Sequence, residues 1–277
     1  VFGTRMRENA IRVGGKAIVV NDDWGKPVDP KKVEQSLIDN PDAKIVAFVH
    51  AETSTGAISD AKLLCELARK HGCLNIVDAV TSLAGSELRV DDWGIDAIYS
   101  GSQKCLSAMP GLSPVSFSEK AIHKFTHRKT PVTSWFLDLN LVMGYWGKGA
   151  KRAYHHTAPV NTLYGLHESL VMLTEEGLEN SWTRHHENHL LLKDGLSKLG
   201  IHYLVDESSR LPQLNSVYIP EGSDDAMVRS TLSNDFNIEI GAGLGDLAGK
   251  IWRIGLMGHT SRKENVDLCL AALQEAL

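Results

Sequence analysis

The stretch AIYSGSQK, residues 97–104, joins a short apolar run to a small polar turn that ends in a single lysine. The apolar run over 95–99 predicts a buried β-strand, and the turn after it predicts the place where the chain leaves a sheet. A lysine that is partly desolvated and held at the rim of a sheet can form a Schiff base with a carbonyl compound. Lys104 is therefore a candidate covalent residue, with a solvated surface amine as the alternative.

The segments around this stretch alternate between strand and helix patterns. A short apolar run at 17–20 predicts a strand, and continuous runs at 45–49 and 73–77 are typical of strands buried on both faces of a parallel sheet. Asp29, which precedes a proline, and Asp60 have the positions of helix N-caps. Strands and helices in this order predict an α/β fold with a mostly parallel sheet.

A long helical pattern from about 162 to 199, expected to bend near Gly177, separates this part from the rest of the chain. The segments beyond it are shorter and predict a small α+β domain. Its strands are predicted at 203–205, 215–219, 238–240 and 252–254, and its helices at 225–232 and 263–276. We therefore predict a large domain over residues 1–176 and a small domain over residues 177–277, joined by the long helix.

The composition excludes several classes of partner. The 277 residues carry a formal net charge of −5, so no broad basic field is available to bind nucleic acid. No run approaches the ~18 apolar residues that cross a bilayer, and we predict no membrane partner. The four cysteines are scattered without a Cys-x-x-Cys pair, which favours a reducing, intracellular setting such as the cytoplasm.

Three polar side chains follow predicted strands of the parallel sheet: Thr53, Asp78 and Lys104. Ligands of open α/β sheets bind beyond the carboxyl ends of the strands, so these residues can converge on one site with a carboxylate and an amine. For Asp78 a helix cap or turn is an equal alternative. For Thr53 a capping hydroxyl is the commoner use.

Four short stretches together resemble the class V aminotransferases, and within them the alanine–glyoxylate and serine–pyruvate group: DAV at 78–80, SGSQK at 100–104, YHHT at 154–157 and RIG at 253–255. The resemblance covers essentially the whole chain. It implies a fold type I enzyme with a large domain and a small C-terminal domain, pyridoxal 5′-phosphate as cofactor, and a homodimer with a shared active site. It also implies ping-pong transfer of the amino group of alanine or serine to glyoxylate or pyruvate, through pyridoxal and pyridoxamine forms of the cofactor.

The resemblance assigns roles to individual residues. Lys104 matches the lysine that forms the Schiff base with the cofactor and later moves the substrate α-proton, and Asp78 matches the carboxylate that pairs with the ring nitrogen. A negative charge there keeps the nitrogen protonated, so that the ring can accept electrons. The other implied cofactor contacts are Val80 beneath the ring, Phe2 stacked on it, Thr53 near the ring oxygen, Gln103 at the phosphate, and Tyr154 and Thr157 at the phosphate from the other subunit.

Arg253 lies in a short apolar run over 251–256, where an arginine is out of place unless its planar fork holds an anion. The resemblance makes it the group that binds the substrate α-carboxylate. A structural ion pair with a carboxylate at the edge of the core is the alternative.

Histidines form two clusters in the sequence. His155 and His156 are adjacent, but neighbouring residues of a strand point to opposite faces and no third ligand has a suitable spacing, so we predict no metal site. His185, His186 and His189 lie on the long helix, and we predict that all three are solvated surface residues.

The resemblance also implies a segment ahead of Phe2. The family carries there a glycine- and serine-rich turn at a helix N-terminus, which cradles the cofactor phosphate. We therefore expect this chain to be N-terminally truncated and to bind the cofactor weakly by itself.

Other functions remain open at this point. Within the family they are a 2-aminoethylphosphonate or 3-hydroxykynurenine transaminase, and outside catalysis a truncated, inactive protein of the same fold. A cysteine desulfurase is disfavoured because that group has a histidine directly before the lysine, where this chain has Gln103. A dinucleotide-binding module is disfavoured because no Gly-x-Gly-x-x-Gly follows a first strand.

Overall fold

The computed structural model of the protein describes residues 1–146 and 153–277. The first half of the chain forms, in order, α1 (Phe2–Arg12), α2 (Pro30–Asp39), β1 (Ile45–Val49), β2 (Ala51–Glu52), β3 (Ala57–Ile58), α3 (Ala61–Lys70), β4 (Leu74–Asp78), β5 (Ala97–Tyr99), β6 (Val115–Phe117), α4 (Glu119–Thr126) and α5 (Leu139–Trp146). The second half forms α6 (Val160–Glu176), α7 (Leu178–Lys198), β7 (Leu214–Tyr218), α8 (Asp225–Phe236), β8 (Gly241–Ala242), β9 (Ile251–Gly255) and α9 (Lys263–Ala276). Among these described residues, no helix is both long and apolar enough to cross a lipid bilayer.

The larger sheet has the strand order β1-β4-β5-β6. β1, β4 and β5 run parallel and β6 pairs with β5 in the antiparallel direction, which confirms the predicted α/β fold with a mostly parallel sheet. The register aligns Val49 with Asp78 and Asp78 with Tyr99. The carboxyl ends of three neighbouring strands therefore lie in one row, at the edge where the sequence predicts a site.

Helices α2 and α3 begin at their predicted N-caps. The Asp29 carboxylate accepts a hydrogen bond from the backbone N–H of Lys31 at 2.9 Å, and the Asp60 carboxylate accepts one from Leu63 at 2.9 Å. These bonds satisfy backbone N–H groups that have no partner within the helix itself. The apolar faces of both helices pack on the sheet. The resulting core includes Val33, Leu37, Phe48, Leu64 and Val77.

A second core lies beyond the start of α7. Its sheet has the strand order β7-β9-β8 with antiparallel pairing, and α7, α8 and α9 contribute the remaining core residues. Trp252 is fully buried in this core, and its indole N–H donates to the Asp225 carboxylate at 2.8 Å. Other buried members are Leu196, Leu232, Ile254, Val266 and Leu273.

Four predicted elements differ from the structure. Residues 203–205 form no strand, because only Tyr203 pairs, as an isolated bridge with Val217. Residues 17–20 form no strand, because Ile18 and Val19 remain about half exposed and no strand among the described residues pairs with them. The helix predicted over about 162–199 consists of α6 and α7, which separate at Gly177, where φ is 86° and an L side chain would be strained. Residues 238–240 form no strand, and pairing with β9 begins at Gly241 instead.

The histidines of α7 correct another prediction. We predicted that all three are exposed, but only His186 is. His185 and His189 are buried, with 0% and 5% of their surfaces exposed. His185 Nδ1 lies 2.7 Å from the Ser181 carbonyl oxygen, and His189 Nδ1 lies 2.6 Å from Asn215 Oδ1. Because positions four apart share a helix face, the two buried rings lie on the side of α7 that faces the protein.

Leu196→Ala should lower the free energy of unfolding by about 2–5 kcal/mol, because it removes a fully buried side chain and leaves a cavity in the second core. Leu191→Ala on the same helix is the matched control. Leu191 is 40% exposed, so its loss should change the free energy by less than about 0.5 kcal/mol. Urea unfolding followed by tryptophan fluorescence measures both variants, and equal losses would contradict this assignment of the core.

Candidate active site

Asp78 is the last residue of β4 and is buried. Its Oδ1 accepts a hydrogen bond from the Val80 backbone N–H at 2.9 Å, and its Oδ2 accepts one from the Tyr99 hydroxyl at 2.8 Å. The bond to Val80 is the turn contact that the sequence left open as an alternative. Burial raises the pKa of Asp78, and no cationic side chain of the described residues forms an ion pair with it. The carboxylate therefore lacks the positive partner that a buried charge requires.

Thr53 lies in the loop that joins the hairpin strands β2 and β3. This loop is attached to the end of the sheet, because the His50 backbone N–H donates to the Asp78 carbonyl at 3.0 Å. The Thr53 side chain is buried, and among the described residues its hydroxyl has no hydrogen-bond partner. The structure therefore gives no support to the alternative of a capping hydroxyl.

Lys104 lies in a compact turn after β5. The Ser107 N–H donates to the Lys104 carbonyl at 2.9 Å, and the Ala108 N–H donates to the Ser102 carbonyl at 2.9 Å. The Lys104 side chain is half-buried and forms no ion pair within the described parts of the chain. Its backbone is therefore fixed, while its amine has no counter-ion.

The two neighbours of Lys104 have different environments. Gln103 is exposed, and its side chain folds over Gly101, where an added Cβ would lie 2.7 Å from Gln103 Oε1. Cys105 is buried, and its thiol donates to the Thr81 carbonyl at 3.3 Å, which attaches the Lys104 turn to the segment after Asp78. Burial raises the pKa of Cys105 to about 12, so its sulfur stays protonated.

Arg253 lies in the middle of β9 and reaches the loop of Thr53. Its Nε donates to the Ala242 carbonyl at 2.8 Å, and its Nη1 donates to the Thr53 carbonyl at 3.1 Å. No carboxylate of the described residues forms an ion pair with it, so the alternative of a structural ion pair is wrong. Burial lowers the pKa of Arg253, although a guanidinium remains charged in proteins. Its remaining N–H groups can bind an anion.

The other predicted cofactor contacts lie in two places. Phe2 is half-buried, and its backbone N–H donates to Glu52 Oε2 at 3.2 Å beside the Thr53 loop, while Val80 lies two residues after Asp78 and donates its backbone N–H to that carboxylate. Tyr154 and Thr157 are exposed. Their hydroxyl groups are 2.5 Å from each other, and no hydrogen bond in the described structure connects them to Asp78.

Two further residues belong to this rim and were missed from the sequence. Tyr99 donates to the Asp78 carboxylate, and the signal for it was its position as the last residue of a buried strand paired with β4. Glu52 accepts hydrogen bonds from the Ser54 N–H at 3.0 Å and from the Ser54 hydroxyl at 2.7 Å, which shapes the loop around Thr53. A carboxylate at the end of a strand, just before two hydroxyl residues, was the signal there.

The family model for class V aminotransferases matches residues 9–267 of this chain. Together with an α/β sheet whose strand ends carry an aspartate and a lysine, this match decides the class. The chain belongs to the class V aminotransferases, which confirms the family that its motifs resemble.

Individual proteins of this family are similar to the chain over its whole length. The alanine–glyoxylate aminotransferase of Callithrix jacchus is 41% identical over 279 residues, which cover all of this chain and 67% of that protein. The (S)-ureidoglycine–glyoxylate transaminase of Bacillus subtilis is 38% identical and is covered to 70% of its length by the whole chain. The crystal structure of an alanine–glyoxylate aminotransferase from Nostoc sp. has a TM-score of 0.96 and 44% identity, covering all of this chain and 72% of that one. The fold type I expectation is therefore confirmed.

Lowering the pH from 6.5 to about 4 should lower the free energy of unfolding of the protein. The cause is His50, which lies next to the candidate active site. His50 is 3% exposed, its ring meets Trp93 edge-on at 5.8 Å, and its Nδ1 has no partner among the described residues. Burial lowers the pKa of His50 from 6.5 to about 4. In this window the unfolded chain binds a proton that the folded ring does not, so stability falls as the pH falls.

His50→Gln should remove this contribution, which amounts to about 2–3 kcal/mol of the loss across the window. His186→Gln replaces an exposed ring of α7 and is the control. Urea unfolding at the two ends of the window measures the difference. The same pH dependence in His50→Gln and in the unmodified protein would show that this ring is not held neutral.

Proposed function

We propose that this chain transfers the amino group of alanine or serine to glyoxylate or pyruvate, with pyridoxal 5′-phosphate as cofactor. The observation that carries the proposal is a set of three charged groups without counter-ions among the described residues: the Asp78 carboxylate, the Lys104 amine and the Arg253 guanidinium. The hydrogen bonds of the Thr53 loop and of Cys105 tie them to one end of the sheet. The names of relatives at 38–44% identity support glyoxylate as the acceptor.

The residues at this rim fit the cofactor. Asp78 is a buried carboxylate whose pKa is raised by burial, and a protonated ring nitrogen would supply the cation that it lacks. Lys104 provides an amine for the aldehyde carbon, on a turn whose backbone is fixed. The Thr53 hydroxyl, which has no partner within the described residues, can bind the ring oxygen.

The cofactor would be held by side chains from several segments. In addition to Lys104 and Asp78, we assign Val80 and Phe2 to the two faces of the ring. The phosphate would be bound by Gln103 and, from the other subunit of a homodimer, by Tyr154 and Thr157. The exposure of Tyr154, 76% in this single chain, supports a role across such an interface.

When bound, the cofactor supplies an aldehyde that carries the amino group and a ring that withdraws electrons from the substrate α-carbon. Asp78 keeps the ring nitrogen protonated by its negative charge, and the Tyr99 hydroxyl orients the carboxylate. Lys104 Nζ is the base that takes the proton from the α-carbon.

Arg253 would hold the substrate carboxylate. Its Nε and Nη1 are anchored by two backbone carbonyls, so the guanidinium is oriented before a substrate arrives. Donor and acceptor are both small α-carboxylates and would use the same arginine in turn. This shared use supports a ping-pong order, in which the first product leaves before the second substrate binds.

A second amino donor has specific support. The Bacillus subtilis relative, 38% identical along the whole chain, is named for (S)-ureidoglycine and glyoxylate. We therefore propose (S)-ureidoglycine as the alternative donor, ahead of 2-aminoethylphosphonate and 3-hydroxykynurenine. The division into a large domain over 1–176 and a small domain over 177–277 remains part of the proposal, supported by the two separate cores.

Lys104→Ala should abolish covalent attachment of pyridoxal phosphate and lower turnover by about 10²–10⁴-fold, because the attaching amine and the base are the same atom. Lys120→Ala, which changes an exposed lysine of α4, is the matched control. Visible absorbance during titration with the cofactor, followed by borohydride reduction and peptide mass spectrometry, measures attachment. A colourless unmodified protein at saturating cofactor would contradict the proposed function for this chain.

Arg253→Met should raise KM for alanine and for glyoxylate by roughly 10- to 150-fold, because hydrogen bonds to a charged carboxylate are lost. Cofactor absorbance should change much less. Arg229→Met removes an arginine paired with Asp225 on α8 and is the control. A panel of alanine, serine, (S)-ureidoglycine and 2-aminoethylphosphonate with glyoxylate and pyruvate tests the substrates. Activity confined to 2-aminoethylphosphonate would exclude the proposed donors.

A further inference from the structure

Helix α7 holds the turn Gly258–Thr260 through the backbone of Gly258. The Gly258 N–H donates to His185 Nε2 at 2.8 Å, and the Gly258 carbonyl accepts from Arg184 Nη1 at 2.8 Å. Two consecutive residues of one helix thus bind both polar groups of one glycine. Both the N–H and the carbonyl of Gly258 are therefore hydrogen-bonded to α7, which fixes the position of this glycine relative to the helix.

The far end of the turn is attached to the same helix. The Ser261 carbonyl accepts from Arg184 Nη1 at 2.8 Å and from Asn188 Nδ2 at 2.9 Å. Arg184 is itself held by Glu176 at the end of α6, with Nη2 2.9 Å from Oε2 and Nε 2.5 Å from Oε1. The turn is consequently bound to α7 at both of its ends.

The opposite side of the turn contacts the Lys104 loop. A Cβ on Gly258 would lie 2.0 Å from Ser107 Oγ and 2.8 Å from the Cys105 carbonyl oxygen, so only glycine fits between α7 and this loop. The His259 N–H donates to Ser107 Oγ at 2.8 Å. Ser107 in turn closes the Lys104 turn, because its own N–H donates to the Lys104 carbonyl.

We propose that His185 is a positioning residue for Lys104, acting through Gly258 and Ser107. The contacts run without interruption from the His185 ring to Gly258, from the adjacent His259 N–H to Ser107, and from Ser107 to the Lys104 carbonyl. Strand β9, which carries Arg253, ends three residues before this turn. His185 thereby holds the Lys104 turn against the segment that follows the strand of Arg253, an inference that rests on the proposed roles of Lys104 and Arg253.

The chemistry of a neutral imidazole suits this position. His185 is fully buried, and its Nδ1 lies 2.7 Å from the Ser181 carbonyl, which fixes the proton on Nδ1 and leaves Nε2 as the acceptor. Burial lowers the pKa of His185 to about 4, so the acceptor persists at neutral pH. The side chain of a leucine would fill the space without accepting the Gly258 N–H, whereas a glutamine can offer an oxygen.

The test compares His185→Leu with His185→Gln in the cofactor-free protein. Amide exchange of peptides that contain Gly258 should become roughly 5- to 150-fold faster in His185→Leu, because a buried N–H loses its acceptor. The rate at which an N-hydroxysuccinimide ester acylates Lys104, followed by peptide mass spectrometry, should change by roughly 2- to 30-fold. His185→Gln should restore both values toward those of the unmodified protein, and His186→Leu, at an exposed position, should change neither.

Ser107→Ala tests the same path from the loop side without altering α7. It removes the acceptor of the His259 N–H and should change Lys104 acylation in the same direction as His185→Leu. The double variant should show less than the sum of the two effects, because both substitutions break one path. Additive effects, or faster exchange at Gly258 with unchanged Lys104 acylation, would overturn the proposal.

These measurements require neither cofactor nor substrate. If the unmodified protein fails to bind pyridoxal phosphate, the proposed function is contradicted while the coupling of His185 to Lys104 can still be present. If the acylation of Lys104 does not respond to His185→Leu in a protein that transaminates, only the positioning role is lost.

Discussion

The parallel pairing of β4 with β5 is the constraint on which the site depends. Its register places Asp78 beside Tyr99, and the same alignment continues past the strand ends, where the Ala79 N–H donates to the Tyr99 carbonyl at 2.9 Å and the Ser100 hydroxyl donates to the Ala79 carbonyl at 3.0 Å. A slip by one residue would turn every side chain of β5 to the other face. The Tyr99 hydroxyl would then point away from the Asp78 carboxylate, and the hydrogen bond between them would be lost.

The second half of the chain completes this edge from a separate core. Arg253 lies in a sheet that has no strand in common with the first, and it reaches the first through the Thr53 carbonyl. The Gly258 turn makes a second junction, between α7 and the loop of Lys104. Further contacts join the two halves elsewhere: the Leu211 N–H donates to the Gly56 carbonyl at 2.8 Å, and the Gln213 amide donates to Ser86 Oγ at 2.7 Å. Several separate contacts restrict rotation between the cores more than one would, since a single contact acts as a pivot.

The parts of the site that follow from local pattern were predictable, and those that depend on distant partners were not. Asp78 and Lys104 could be assigned because each ends or follows an apolar run of strand length. The partners of Arg253 could not, because Thr53 lies 200 positions away in the sequence. His185 was misassigned because the first half of α7 is buried along a polar face, so hydrophobic periodicity marked the buried side only farther along the helix, at Leu192 and Leu196.

The buried state of Cys105 decides which nucleophile an aldehyde meets next to the Lys104 amine. A thiolate beside Lys104 would be a stronger nucleophile than an amine toward many electrophiles. Here the sulfur is buried, donates its proton to the Thr81 carbonyl, and has its pKa raised to about 12. An aldehyde that arrives at this rim therefore meets nitrogen and not sulfur, and the adjacent cysteine neither traps it as a thiohemiacetal nor exposes the loop to oxidation.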